Sequence, residues 1–362
     1  MGHEQADAGR RPVKLRVRGL SKSYGDVPVI REVSFGMRQG EILALLGPSG
    51  SGKTTILRLI AGFEVPDDGE IFIESRCVAG SGVCMPPERR SVGMVFQDYA
   101  LFPHLTVAKN IAYGLRGMEP RRRLRVVETM LELVGMQAHR GRYPHELSGG
   151  EQQRTALARA LAPCPSVLLM DEPFSNLDAD LRSRIRMEVL SILRRACTTA
   201  ILVTHDREEA FCLGDRAGVL HGGRLVQVGA PEVVYHEPAS PFVARLTGEA
   251  DFLPGTLRGG RVLTELGPLA TAGKHSCTGV LPVSSNGEVL VLIRPDDVDL
   301  TPDPGGRGVV VGREFRGSEN LYRIRLPSGL EVRSSQPSTV VYAPGQRVRL
   351  RAAPRHLVTF PP

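Results

Sequence analysis

No apolar run in the 362 residues approaches the roughly 20 that a membrane-spanning helix needs. The first dozen residues are polar and lack the apolar core of a signal peptide. Both absences lead to the expectation of a soluble, cytosolic chain. Paired cysteines are missing too: Cys77, Cys84, Cys164, Cys197, Cys212 and Cys277 lie scattered without C-x-x-C spacing. That argues against a zinc site and against a disulfide framework, and reduced, mostly packed thiols are expected. Charge is not strongly one-sided, with a net of +7. The run Arg121-Arg122-Arg123-Leu124-Arg125 is compatible with nucleic acid or an anionic membrane surface, but a solvated helix face is its default reading. What the chain does have is 41% hydrophobic residues, enough for packed cores, and a length beyond one typical domain. Two domains are the first expectation.

The most informative stretch is Gly47-Pro48-Ser49-Gly50-Ser51-Gly52-Lys53-Thr54-Thr55. It follows the apolar run Ile42–Leu46, precedes the helical pattern Ile56, Leu57, Leu59, Ile60, and fits G-x-x-x-x-G-K-[ST] in the strand–loop–helix context that motif requires. Glycines let backbone N–H groups turn inward around a phosphate, and the positive end of the following helix reinforces the site. Lys53 would then reach the β- and γ-phosphates and the Thr54 hydroxyl would ligate Mg²⁺. A Gly-rich turn with a stray lysine would share the composition but not the flanks. A nucleoside triphosphate is the expected ligand.

Upstream, alternating Val13, Leu15 and Val17 read as an edge strand over 13 to 18, followed by a turn at Ser21–Asp26. Tyr24 in that turn is either ordinary surface packing or a ring on which a base stacks. Downstream, Pro66–Gly69 reads as a turn, Glu70–Ile73 as a short strand and Val92–Gln97 as an apolar run ending in an amide. Between about 105 and 165 the periodicity becomes helical, with Leu124, Val127, Leu131 and Val134 on one stripe. Ser148 and Glu151 then have capping-box spacing ahead of Ala156, Leu157, Ala160 and Leu161. This is a well-capped helix, or, because Gly149 and Gly150 leave the N-terminus bare, an anion site. Val167–Glu172 is a buried strand running into two carboxylates, whose desolvation is costly unless a cation or polar ligand meets them. Asp171 would sit in the Mg²⁺ shell and Glu172 would orient or deprotonate a water. Ala200–His205 repeats the design with a histidine, and Asp206 to Glu209 again has cap spacing. In an open α/β sheet, ligands bind beyond the carboxyl ends of the strands, where Gly47, Gln97, Asp171 and His205 all fall.

These residues resemble the ATPase subunit of ATP-binding-cassette transporters over about residues 13–235. Gly47–Thr54 is similar to the family's Walker A motif, Val167–Glu172 to Walker B, Leu147–Gln152 to the signature motif and Gln97 to the Q-loop. Ser175–Asp178 resembles the D-loop, His205 the switch histidine, and Tyr24 sits where the family stacks adenine. Glu151 departs from the pattern, since many relatives carry Gln there; with Ser148, Gly149 and Gly150 intact, activity is expected to survive. The resemblance implies an α/β phosphate-loop NTPase domain with a helical subdomain (about 98–165), cofactors ATP and Mg²⁺, and catalysis by Glu172, His205 and Lys53. It implies ATP contacts from Tyr24, Gly47, Pro48, Ser49, Gly50, Ser51, Gly52, Lys53, Thr54, Thr55 and Gln97, with Thr54, Gln97 and Asp171 on the metal. Ser148, Gly149, Gly150, Glu151 and Asp178 would act in trans, because the chain carries one motif set and needs a second ATPase subunit, most simply its own copy. Hydrolysis then reopens the dimer, and the helical block with Tyr99–Val107 pushes on two transmembrane permease subunits or domains.

Residues 236–250 read as a linker, and 251–362 shift to Gly, Pro and short strands: Glu288–Arg294, Val309–Val311, and Leu321–Leu326 joined by Pro327-Ser328-Gly329 to Leu330–Arg333. A small all-β barrel of oligonucleotide-binding-like architecture is expected. Ile293–Asp297 and Gly317–Asn320 resemble the regulatory, TOBE-like domain of importer ATPases for polyamines, maltose, sulfate or ferric iron. A nucleic-acid role for the barrel lacks interleaved surface aromatics, and no nucleic-acid partner is expected. The resemblance implies a peripheral subunit on the cytoplasmic membrane face, driving uptake of a solute delivered by an extracytoplasmic binding protein. Asn110–Leu115 and Glu249–Gly255 look most like ferric-iron importers, with polyamine importers second. A soluble ATPase of the same superfamily in translation or DNA repair is the rival class, but the chain lacks the second motif set, long coiled coil or zinc site those carry.

Overall fold

The computed structural model of the chain describes residues 11–80, 82–258, 261–270 and 287–362, so Cys277 lies outside the described residues. Two compact units divide at Pro231 and Glu232. The first begins with strands β1 (Val13–Tyr24), β2 (Val27–Arg38) and β3 (Ile42–Leu46), then helix α1 (Lys53–Ala61), β4 (Asp68–Ile73), β5 (Arg76–Gly80), β6 (Val83–Cys84) and β7 (Val92–Val95). Helices α2 (Val107–Ala112), α3 (Pro120–Leu133) and α4 (Gly149–Leu161) follow. The unit closes with β8 (Val167–Asp171), α5 (Ala179–Arg195), β9 (Ala200–Thr204), α6 (Arg207–Leu213), β10 (Arg216–His221) and β11 (Arg224–Gly229).

A six-stranded sheet ordered β11-β10-β3-β9-β8-β7 forms the centre, parallel except for the antiparallel edge strand β11. Its inner strands are continuous apolar runs, as strands covered on both faces must be; β3 and β9 are buried along their whole length. The register pairs Leu46 with Thr204, Val203 with Asp171, and Met170 with Val95. The carboxyl ends of β3, β9, β8 and β7 therefore share one edge of the sheet.

The second sheet of this unit, ordered β2-β1-β4-β5-β6, corrects one expectation. β1 is no edge strand: it pairs with β2 on one side and β4 on the other. It also runs through Ser21–Tyr24, with Lys22 opposite Ile30 and Tyr24 opposite Val27, so the turn is confined to Gly25-Asp26. The polar side chains there are held from outside the strand: Asp67 accepts from the Ser23 N–H at 2.6 Å and from Lys22 Nζ at 2.9 Å. In the helical block Val127, Leu131 and Val134 are buried, whereas Leu124 is 57% exposed and lies off the stripe. Arg121, Arg122 and Arg125 are exposed, and the Glu119 carboxylate caps α3 by accepting from the Arg121 and Arg122 N–H groups. The cysteines differ from expectation as well. Cys84, Cys164, Cys197 and Cys212 are free but exposed, because they sit on an edge strand, in loops or turns and on an outer helix face, and Cys77, on the inner strand β5, is half-buried.

The second unit contains most of α7 (Pro231–His236), α8 (Pro241–Thr247) and strands β12 (Asp251–Arg258), β13 (Arg261–Thr264), β14 (Gly267–Ala270) and β15 (Glu288–Ile293). It continues with β16 (Val298–Pro302), β17 (Gly308–Phe315), β18 (Glu319–Arg325), β19 (Glu331–Pro337), β20 (Arg347–Ala352) and β21 (Thr359–Phe360). Two antiparallel five-stranded sheets, β14-β13-β12-β15-β21 and β16-β20-β17-β18-β19, share one core that includes Leu253, Val291, Ile293, Val310, Tyr322, Ile324 and Val348. The β18–β19 hairpin turns at Pro327-Ser328-Gly329, with Gly329 at φ 89° and the Leu326 N–H donating to Leu330 O at 2.8 Å. Residues 236–250 are built into this unit: Ala244 and Ala250 pack with Leu292 and Phe360. The buried Arg294 guanidinium donates to the carbonyls of Tyr235, Ala244 and Glu249, each at 2.9 Å.

Candidate nucleotide site

The loop between β3 and α1 has the backbone that only its glycines permit. A Cβ added at Gly47 would lie 2.4 Å from Leu220 O, and one at Gly52, which has φ 100°, would lie 2.4 Å from Ile30 Cδ1. Gly52 is the N-cap of α1 and brings no side-chain acceptor, so the first N–H groups of that helix have no side-chain cap. Lys53 is 5% exposed, and its ammonium donates to Gly47 O at 2.8 Å and Pro48 O at 3.0 Å. Burial pushes that ammonium toward its neutral form, against the pull of the Glu172 and Asp171 carboxylates. Ser51 carries a buried hydroxyl with no hydrogen-bond partner among the described residues. Pro48, Ser49 and Gly50 are exposed at the turn of the loop, and Thr55 is half-buried in the first turn of α1.

Thr54 Oγ1 donates to Asp171 Oδ1 at 2.9 Å, tying the helix start to the end of β8. Burial raises the Asp171 carboxyl; the Thr54 hydroxyl opposes this and the neighbouring Glu172 adds to it. Glu172, the next residue, sits in the left-handed region at φ 42°. Its N–H donates to Val203 O at 3.0 Å, and its carbonyl accepts from Ser175 Oγ at 3.0 Å. Strain of this kind persists where surroundings enforce it, and it clusters at functional sites. Glu172 Oε2 lies 3.0 Å from His205 Nδ1. The histidine turn is fixed by a group the spacing did not reveal: Thr204 Oγ1 accepts from the Asp206 N–H at 2.9 Å and donates to Glu209 Oε2 at 2.6 Å. Asp206 caps α6 through the Glu208 N–H at 2.7 Å, so the expected Asp206/Glu209 cap is not reciprocal, because Glu209 turns inward to Thr204. Gln97 is exposed just past β7, and its carbonyl accepts from Asn176 Nδ2 at 3.0 Å.

Lys53, Thr54, Asp171, Glu172 and His205 thus come together at one sheet edge. Tyr24, Ser148–Glu151 and Asp178 have no hydrogen bond to that group among the described residues. Ser148 is the exposed N-cap of α4 in a full capping box: the Glu151 N–H donates to Ser148 Oγ at 3.4 Å, and Glu151 Oε2 accepts from the Ser148 N–H at 2.8 Å. The Ser148 N–H holds the Glu151 carboxyl below its usual range, and His139 Nε2 lies 3.3 Å from Glu151 Oε1. Asp178 is the exposed N-cap of α5. Tyr24 is 43% exposed, with Lys22 Nζ 5.7 Å from its ring centroid.

Chemically, the buried Lys53 and the half-buried Asp171 are both pushed toward neutrality, and a phosphate anion with a divalent cation would reverse both shifts. The hydroxyl and carboxylate oxygens of Thr54 and Asp171 suit a hard cation, and a phosphate oxygen would satisfy the orphaned Ser51 hydroxyl. This fold and this site define a phosphate-loop NTPase. Residues 30–175 match the family described as "ABC transporter" and residues 291–360 the TOBE domain. An Fe(3+) ions import ATP-binding protein, FbpC 1 of Rhodococcus jostii, is 45% identical over 93% of this chain and 96% of its own. A spermidine/putrescine import ATP-binding protein, PotA of Methylococcus capsulatus, is 40% identical over 95% of this chain and 91% of its own. Among solved structures, the dimeric post-hydrolysis state of the ATP-binding cassette MJ0796 with ADP and Pi aligns at TM-score 0.52 and 28% identity, covering 60% of this chain and 98% of that one. The chain belongs to the ATP-binding-cassette transporter family, as an ATP-binding and ATP-hydrolysing protein with a C-terminal TOBE domain. No helix among the described residues is long and apolar enough to cross a membrane.

Proposed function

We propose that the chain is the ATPase subunit of an importer, peripheral on the cytoplasmic face of the membrane, and that its solute is ferric iron. The observation that carries the site assignment is the linked pair of contacts, Thr54–Asp171 and Glu172–His205, beside the buried Lys53. In this reading Gly47–Thr55 and Lys53 hold the β- and γ-phosphates, Tyr24 stacks on adenine, and Thr54, Asp171 and Gln97 hold Mg²⁺. The metal, when bound, neutralises charge developing on the phosphates. Glu172 takes the proton of the attacking water at its carboxylate, and His205 fixes the orientation of that carboxylate. Ser148, Gly149, Gly150, Glu151 and Asp178 of a second copy complete the site, in keeping with the single motif set. Residues 13–235 carry the nucleotide-binding part and 251–362 the regulatory part, with the connecting residues 236–250 packed into the latter. Two permease subunits or domains and, indirectly, an extracytoplasmic binding protein are the partners.

Iron is favoured by the 45% identity to FbpC 1, and polyamine import is the second reading, favoured by the 40% identity to PotA. The test is ATP-dependent uptake into proteoliposomes holding this chain with the permease encoded beside its gene. Ferric iron uptake that a Lys53→Ala variant abolishes is the expected result. Spermidine uptake without iron uptake would install the second reading, and permease-independent association with ribosomes or DNA would overturn both.

A further inference from the structure

Directly after Gln97 the backbone enters the left-handed region twice in succession, with Tyr99 at φ 62° and Ala100 at φ 45°. For a residue with a Cβ this conformation is disfavoured roughly tenfold. A consecutive pair persists only where the surroundings over-determine it. Arg159, on α4, does so: its Nη2 donates to Tyr99 O at 2.8 Å and its Nη1 to Ala100 O at 2.5 Å. The same guanidinium lies 5.6 Å from the centroid of Phe102, whose ring rests 4.1 Å from that of Tyr113. Buried Asn110 closes the loop beyond, its Oδ1 accepting from the Phe102 N–H at 2.9 Å and its Nδ2 donating to Leu105 O at 2.9 Å. A planar fork can grip two successive carbonyls, which a lysine ammonium cannot do with the same fixed geometry.

We propose that Arg159 is a positioning residue, which pins the left-handed turn after Gln97 onto α4. Ser148 begins the same helix about 16 Å away, at 1.5 Å per residue. The clamp therefore makes the Gln97 segment and Ser148-Gly149-Gly150 move as one body. Its effect on turnover rests on the functional reading above, whereas the clamp itself does not.

The test compares the full-length chain with Arg159→Met, Arg159→Lys, Ala100→Gly and the Arg159→Met/Ala100→Gly double variant. Hydrogen exchange of amides 98–105 without nucleotide reads the clamp. Exchange should rise about tenfold in both Arg159 variants, and Ala100→Gly should reverse much of the rise, because glycine occupies the left-handed region without a steric penalty. Turnover reads the coupling: kcat should fall about tenfold at a KM for ATP within twofold of the parent, with partial recovery in the double variant. Unchanged exchange in Arg159→Met overturns the clamp, and exchange that Ala100→Gly fails to reverse reduces Arg159 to packing. Raised exchange at unchanged kcat overturns the coupling. Should the Arg159 variants not fold, Ala100→Gly alone decides, since relief of strain must not lower the thermal midpoint and a lower one overturns the proposal. A Lys53→Ala variant that still turns over would undo the nucleotide site and leave the exchange result standing.

Discussion

Replacing Glu172 by Gln changes one property of the site while keeping its shape. The Glu172 backbone is held by its N–H on Val203 O and by Ser175 Oγ on its carbonyl, both at 3.0 Å, and neither contact depends on the side-chain charge. An amide in the same place still meets His205 Nδ1, now 3.0 Å from the carboxylate oxygen it replaces. What disappears is the proton acceptor. Loss of a general base removes 10²- to 10⁴-fold in rate, or about 3–5 kcal/mol of barrier lowering. Binding should not suffer, because Lys53 keeps its place in the loop and Thr54 stays on Asp171. The charge change favours an anionic nucleotide, since a carboxylate beside the phosphates is gone. Phosphate release should therefore fall at least a hundredfold while the Kd for ATP stays the same or tightens. Gel filtration with MgATP should show a dimer that the parent forms only transiently. Turnover at the parent rate would refute Glu172 as the base, and loss of ATP binding would refute the claim that the substitution spares the ground state.

Lys53→Ala should abolish hydrolysis, at a cost of about 3–4 kcal/mol in the transition state or more, because it removes the loop's only side-chain cation; measurable parent-like turnover would contradict the phosphate-loop assignment. Asp171→Asn should weaken Mg²⁺ dependence at least tenfold and, unlike Glu172→Gln, give no trapped dimer in MgATP, which metal titration of the ATPase checks. A chain ending at Pro231 should fold and hydrolyse ATP, since the first unit closes its own sheets by that point; a missing cooperative transition in calorimetry would place the boundary elsewhere. Arg90→Met should cost about 2–4 kcal/mol in urea denaturation, because three buried carbonyls (Met85, Leu59 and Ile60) lose their donor.

The central sheet and its ligand edge were legible because each inner strand is an apolar run that stops at a glycine or a polar residue: Leu46 before Gly47, Met170 before Asp171, Val203 before Thr204-His205. The alternation at Val13, Leu15 and Val17 discloses that one face is buried, but alternation is blind to how many neighbours a strand has, so it suggests an edge where β1 has a partner on each side. Leu124 was misplaced because the apolar stripe starts at Val127, after the basic run. Exposure of the cysteines was invisible, since nothing around a small residue in sequence fixes whether its Cβ faces in or out. Arginines that hold backbone, Arg90, Arg159 and Arg294 among them, leave no sign in the sequence because long-range hydrogen bonds to carbonyls have no periodic trace. A hint existed for Arg159, which interrupts the small apolar run Ala156-Leu157-Ala158 and Ala160-Leu161. Asp178 came from resemblance alone, and the residues offered Tyr24 and Ser148 only as one of two readings each, a ring for a base and a bare helix start for an anion, for within one chain none of the three joins the Lys53 group.

Helix α1 is finished at one end and unfinished at the other. At its C-terminus Gly62 takes the left-handed cap, and buried Arg90 donates to Leu59 O and Ile60 O. At its N-terminus Gly52 supplies no capping side chain. The phosphates of a nucleotide would then serve as the missing cap, and the ligand becomes a component of the folded state. By mass action, a ligand at a hundred times its Kd adds about 2.7 kcal/mol to stability. In a cell, the lifetime of this protein against proteolysis would then follow the nucleotide supply, so that energy starvation would thin the population of the pump's engine as well as idle it.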